Sequence, residues 1–361
     1  MTDRYHHFER PTADKPGTLI SAILVSSAVG LVTGAAGFTI MRGLYPDSPV
    51  FLGGSGRNSI KLDLNDPTTY LATAYIERLA GVYSGPLDRT KTSYEQALEL
   101  GNYLGPAVVV TSDGWLVAGP GLALKDGQSA TVFLGNNLYE VEGVKIDSRL
   151  KLTFIKVKAV GLTPVKFADK SGLSVGSLVF NYQWSIGQQP IFNKGYVSQS
   201  DWLDASSRSN LIKADTDVLY NQAVLEGVVK KGFMFNAAGE IAGLVVEESG
   251  KGLRPSDLKV AVDKFLSGSS YVTAGFYYIN PPLFGSDSGA LVYHQQKAAV
   301  VPGGLAFKAG LRSGDRLLAV DNIEVGKETE VSDLLLNYKP GDKAELSIER
   351  QGESLKLTIQ F

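Results

Sequence analysis

The run AVVVTSDGWLVAG, residues 107–119, decides the fold class. Two β-rich stretches flank Asp113-Gly114, a dipeptide that suits a tight turn, so the segment is predicted to form an antiparallel hairpin. The same texture recurs along the chain: ATVFLGNNLYEVEGVKI (130–146), LTFIKVKAVG (152–161), SLVFNYQW (177–184), KGYVSQS (194–200) and GFMFNAAGEIAGLVV (232–246). Punctuation by Gly135-Asn136-Asn137 and Ala238-Gly239-Glu240 fits hairpins of an antiparallel barrel or sandwich.

Upstream, Asp66-Pro67 supplies a cap and a first-turn proline for a helix through Leu71, Tyr75, Ile76 and Leu79. Ser93 with Gln96 has the capping-box pattern of a second short helix to about Leu100. Downstream, RPSDLKVAVDKFL (254–266) reads as a helix capped by Ser256, with Leu258, Val262, Phe265 and Leu266 on one face. Ser267-Gly268-Ser269-Ser270 then marks a boundary, and a final unit of roughly 90 residues runs to Phe361.

Residues Gly17 to Met41 carry no charge, and Lys15 and Arg42 bound them. About 20 apolar residues cross a bilayer core, so residues 16–42 are predicted as a transmembrane helix. Arg4, Arg10 and Lys15 place the tail 1–15 in the cytoplasm and the bulk of the chain outside it. The rival reading is a cleaved signal peptide, with Gly34-Ala35-Ala36 as small residues. Residues 43–66, rich in Gly, Pro and Ser, read as a linker.

Composition removes several function classes. Of the 361 residues 44% are hydrophobic and 20% charged, which suits globular domains with cores. A net charge of −2 provides no basic field, and no nucleic-acid partner is expected. The chain has no cysteine, so disulfides and thiolate chemistry are excluded. It has three histidines, His6, His7 and His294, and none between residues 8 and 293. No metal site or cofactor is expected.

VPGGLAFKAGLRSGDRLLAVDNIEV (301–325) and SDLLLNYKPGDKAELSIERQGESLKLTIQF (332–361) closely resemble a PDZ domain of bacterial membrane and periplasmic proteins. The preceding strands, taken in order, resemble the trypsin-like domain of HtrA-type serine proteases. The resemblance implies a mainly β chain: a chymotrypsin-like double β-barrel over 67–268 and a C-terminal PDZ domain over 270–361. Such a PDZ domain would bind C-terminal or unfolded protein segments by adding them as a strand. Its carboxylate loop would be Thr273, Ala274, Gly275 and Phe276, followed by strand residues Tyr277 and Tyr278. Val331, Leu334 and Leu335 would line the groove from a helix.

By the same resemblance the histidine, aspartate and serine of a catalytic triad fall at Gly121, Lys151 and Lys230. No serine lies between Asn210 and Ser249. A Ser-His-Asp relay needs an imidazole, which the barrel region lacks. The implied protein is a membrane-tethered pseudoprotease, not an enzyme, acting as scaffold, adaptor or sensor in the bacterial envelope. An active protease, an envelope complex or further copies of the chain (a trimer) are its candidate partners. The alternatives are an endopeptidase with a Ser-Lys-like site and a purely structural envelope subunit. Gly285-Ser286-Asp287-Ser288-Gly289 looks like a trypsin nucleophile loop but falls inside the PDZ unit, where a loop before a strand is expected.

Overall fold

A computed structural model describes residues 77–361, apart from 89, 92–94, 96–100, 136, 170–172, 184–190, 203–211, 226–230, 280–288 and 327–328. The segments expected as transmembrane helix and linker, His6, His7, Lys230 and nearly all of the two stretches expected as upstream helices lie outside the described residues. Among the described residues no helix is long and apolar enough to cross a membrane.

Strands β1 (Leu79–Ser84), β2 (Tyr103–Val109), β3 (Trp115–Ala118), β4 (Ala130–Leu134), β5 (Asn137–Ile146) and β6 (Thr153–Val157) close a barrel in the order β1-β2-β3-β6-β5-β4. The deciding hairpin is present, with Ala107 opposite Ala118 and Val109 opposite Leu116. Its unbroken valines reflect burial on both faces of β2. Ala107 and Val109 point into the barrel beside Leu116, Val132 and Ile155. Val108 points outward into a second cluster with Val117 and Phe154. A strand sandwiched in this way shows no polar alternation.

Leu79 corrects one expectation, because it opens a strand instead of closing a helix. β1 pairs with both β2 and β4, and Val82 and Tyr83 suit a pleated, buried surface. Tertiary pairing outweighed the local helical spacing.

The second barrel comprises β7 (Leu178–Gln183), β8 (Ile191–Trp202), β10 (Tyr220–Leu225), β11 (Gly232–Phe235), β12 (Ile241–Val245) and β13 (Lys251–Leu253), ordered β10-β13-β12-β11-β7-β8. Phe180, Tyr182, Phe233, Phe235 and Leu244 join Val108, Val117 and Phe154 of the first barrel in one continuous core. Strand β9 (Ile212–Ala214) belongs to neither barrel.

Helix α1 (Pro255–Ser267) packs Leu258, Ala261 and Val262 into that core, and Gly268 ends it in the left-handed conformation. Its start corrects the Ser256 cap: Arg254 is the N-cap residue and Pro255 opens the helix, as its fixed φ favours. Phe265 stacks on Phe154 at 3.8 Å and meets Trp115 edge-on at 4.8 Å. Leu266, expected on the same face, is exposed.

The C-terminal unit holds β14 (Tyr277–Ile279), β15 (Ala290–Val292), α2 (Leu305–Lys308), β16 (Arg316–Val320), β17 (Ile323–Glu324), α3 (Val331–Leu336), β18 (Lys343–Arg350) and β19 (Glu353–Gln360). Its sheet runs β19-β18-β16-β15-β14-β9, with β17 paired to β16, so β9 from the barrel region forms one edge. Arg254 ties the parts together. Its guanidinium bonds Asp257 at 2.8 Å and also reaches Asp333 on α3. Tyr271 adds a second tie, its hydroxyl donating to Asp147 at 2.8 Å.

Candidate functional site

The loop before β14 reads Thr273-Ala274-Gly275-Phe276, and Gly275 has φ +84. That conformation disfavours any side chain, and it turns successive amides toward one point. The point is occupied by the carboxylate of Asp215. Its Oδ2 accepts from the amides of Ala274 at 2.6 Å and Gly275 at 3.1 Å, and from the Thr273 hydroxyl at 3.1 Å. Oδ1 accepts from the Phe276 amide at 3.4 Å. A buried carboxylate needs such donors to offset its lost hydration, and Asp215 is only 5% exposed.

Asp215 is delivered by β9, which pairs antiparallel with β14: Ala214 opposite Tyr277, Lys213 opposite Tyr278 and Ile212 opposite Ile279. The Asp215 amide continues the ladder by donating to the Phe276 carbonyl at 3.1 Å. Lys213 places its ammonium 2.8 Å from Glu330, the N-cap residue of α3, and both side chains are buried. The Tyr278 hydroxyl donates to the other Glu330 oxygen at 3.4 Å. Burial, reinforced by the Glu330 charge, pushes that phenol far above its ordinary range.

The segment is braced from behind. Asp217 accepts from the Ala214 amide at 2.7 Å, and its carbonyl accepts from Arg149 of the first barrel at 3.1 Å. Burial raises the Asp217 carboxyl, while its bond from Ala214 acts the other way.

All nine residues expected to bind peptide are close together. Ala274, Phe276, Tyr278, Val331 and Leu335 share one core cluster, with Leu334 packed against it. Thr273, Gly275 and Tyr277 lie on the loop and the paired strand. Sequence reasoning missed Lys213, Asp215 and Glu330. The one local signal for them is a short Ile-Lys-Ala run before a turn-prone Asp-Thr-Asp.

The positions expected from a triad fare differently. Gly121 lies in the turn after β3, with φ +84, and lines a cleft of about 200 Å3 between the barrels with Pro106, Leu122, Lys231 and Leu244. Lys151 is exposed and donates to the Ser148 carbonyl at 2.7 Å. His294, expected to be exposed on a flexible loop, is half-buried: its Nδ1 accepts the amides of Gln296 and Lys297, and its ring meets Tyr277 edge-on.

Residues 282–361 match the PDZ domain family. The fold is similar to that of the HtrA-type protease AlgW with a tripeptide, with a TM-score of 0.53, 18% identity, and coverage of 80% of this chain and 95% of that one. This is an HtrA-type fold. Serine endoprotease DegS of Haemophilus influenzae is 23% identical over 296 residues, which is 78% of this chain and 83% of DegS. A probable periplasmic serine endoprotease, DegP-like, from Pseudomonas savastanoi pv. phaseolicola is 29% identical over 278 residues. That match spans 71% of this chain but only about half, 55%, of the relative.

These relatives correct the expectation that the protein is not an enzyme. Relatives similar to more than two thirds of it are named serine endoproteases. The physical gap lay in the step from histidine to hydrolysis. A missing imidazole removes one proton relay, whereas a lysine held as the neutral amine can also take the proton of a hydroxyl nucleophile, becoming the ammonium.

Proposed function

We propose that this protein binds extended protein segments by their C-terminal carboxylates, in the groove between β14 and α3, as a scaffold, adaptor or sensor. The observation that carries the reading is the convergence of three consecutive amides, Ala274, Gly275 and Phe276, on one carboxylate. Strand addition to β14 supplies main-chain affinity, and α3 supplies side-chain discrimination. Thr273, Tyr277, Tyr278, Val331, Leu334 and Leu335 complete the surface. The site of action is outside the cytoplasm at the membrane, with residues 16–42 as anchor. The periplasmic designation of the DegP-like relative supports that compartment. The test is selection from a random C-terminal peptide display, repeated with amidated termini. Enrichment that disappears on amidation is expected, and enrichment indifferent to it rejects the reading.

A second reading is favoured by the names of the relatives: hydrolysis of the captured chain in the cleft between the barrels. With no histidine between residues 8 and 293, a hydroxyl nucleophile there must pass its proton to another base. Lys231 lines the cleft. Casein digestion by the full chain, compared with Lys231→Ala and Lys151→Ala, tests this reading. Turnover lost in Lys231→Ala alone supports it, and no turnover in any form rejects it.

A further inference from the structure

Strand β9 and Asp215 stand where a bound peptide would stand. The ladder to β14 is antiparallel, the Asp215 amide reaches the Phe276 carbonyl, and a carboxylate fills the amide cradle. The carboxylate is a side chain, which lets an internal segment imitate a chain end. Counting back from it, Asp215 takes the terminal position, Ala214 the next, and Lys213 the third from the end. That third position faces Glu330 at the start of α3.

We propose that residues 212–215 are an internal ligand of the PDZ groove, and that they define its external partner: a C-terminal peptide with a basic residue third from its end. This rests on the peptide-binding reading above. The partner's α-carboxylate replaces that of Asp215 in the cradle, and its Lys or Arg replaces Lys213 on Glu330. An acidic residue at that position meets Glu330 at close range in a dry site, where like charges repel strongly. The groove is therefore open only to a partner that displaces the chain's own segment.

The test uses the full chain in detergent and a fluorescein-labelled hexapeptide ending Ile-Lys-Ala-Val with a free carboxylate. Valine ends the probe because the chain terminus itself now supplies the carboxylate. Asp215→Asn is expected to bind the probe at least tenfold more tightly than the wild type. Replacing the probe lysine by glutamate is expected to cost at least tenfold, and amidation to abolish binding. A second measurement covers the case in which Asp215→Asn fails to fold: hydrogen exchange on the wild type. Saturating probe should deprotect residues 212–216. A folded Asp215→Asn with unchanged affinity, or bound probe with 212–216 still protected, overturns the internal ligand but leaves peptide binding intact. Equal affinity for the lysine and glutamate probes overturns the basic preference. Failure of every free-carboxylate peptide to bind either protein overturns both this inference and the peptide-binding reading.

Discussion

The Asp215 carboxylate accepts the amide of Ala274 at 2.6 Å, across 59 residues of sequence. Gly275 makes the contact possible, since its φ of +84 brings the neighbouring amides to the same oxygens. A Cβ there would sit 3.4 Å from the Val301 Cβ, so the penalty is conformational more than steric. Gly275→Ala should cost about 1–2 kcal/mol of stability, the usual penalty of a left-handed non-glycine residue. Urea unfolding measures that loss, and peptide affinity should fall about tenfold with it.

Arg254 and Asp257 are both nearly fully buried and bonded at 2.8 Å. Burial pushes the Asp257 carboxyl upward, and the guanidinium opposes it. Arg254→Met strands that carboxylate and should cost about 3–5 kcal/mol in chemical denaturation. Arg254→Met with Asp257→Leu should recover most of the loss, because the fully buried carboxylate is then gone and Asp333, which also loses the guanidinium, is the more exposed partner. Asp333→Asn, at the wetter end of the network, should cost no more than about 1–2 kcal/mol.

Phe265 is stacked on Phe154 while its neighbour Leu266 is exposed. Phe265→Ala should destabilise by about 3–5 kcal/mol through lost burial and ring contacts. Leu266→Ala should stay within about 0.5 kcal/mol. Trp115, edge-on to Phe265, reports both in a fluorescence-monitored urea titration.

Tyr182 and Tyr278 are at most 1% exposed, and burial holds both phenols protonated well above their ordinary range. In the unfolded chain they ionise near pH 10, so above that pH the unfolded state binds fewer protons than the folded one. Their contribution is fully present below pH 10 and is lost as pH rises beyond it. Stability should fall by roughly 1 kcal/mol per phenol between pH 10 and 11. Unfolding at those two pH values checks the slope, and Tyr182→Phe should reduce it.

The hairpin at Asp113-Gly114, the helix after Arg254 and the C-terminal unit were legible because each carries its signal locally: turn dipeptides, helical spacing, or a long stretch resembling a known domain. Leu79 was misread because helical spacing and a short strand overlap over a few residues, and pairing with β2 and β4 decides between them. Ser256 was misread because a cap and a first-turn proline compete at adjacent positions. The partnership of Lys213, Asp215 and Glu330 left no periodic trace. It depends on a carboxylate meeting amides and an ammonium meeting an acid, each across a long sequence separation. Residue identity at one end does not point to the other.

Only five residues separate Ala214 from Tyr220, where the second barrel resumes. A short leash of this kind holds its cargo at an effective concentration in the millimolar range. An incoming peptide therefore competes with a ligand that cannot diffuse away, and its apparent affinity is discounted by the ratio of that concentration to the segment's own dissociation constant. A scarce partner stays outside; one made locally abundant gets in. The leash thus sets a threshold, and its length, as much as the groove's chemistry, fixes where the threshold lies.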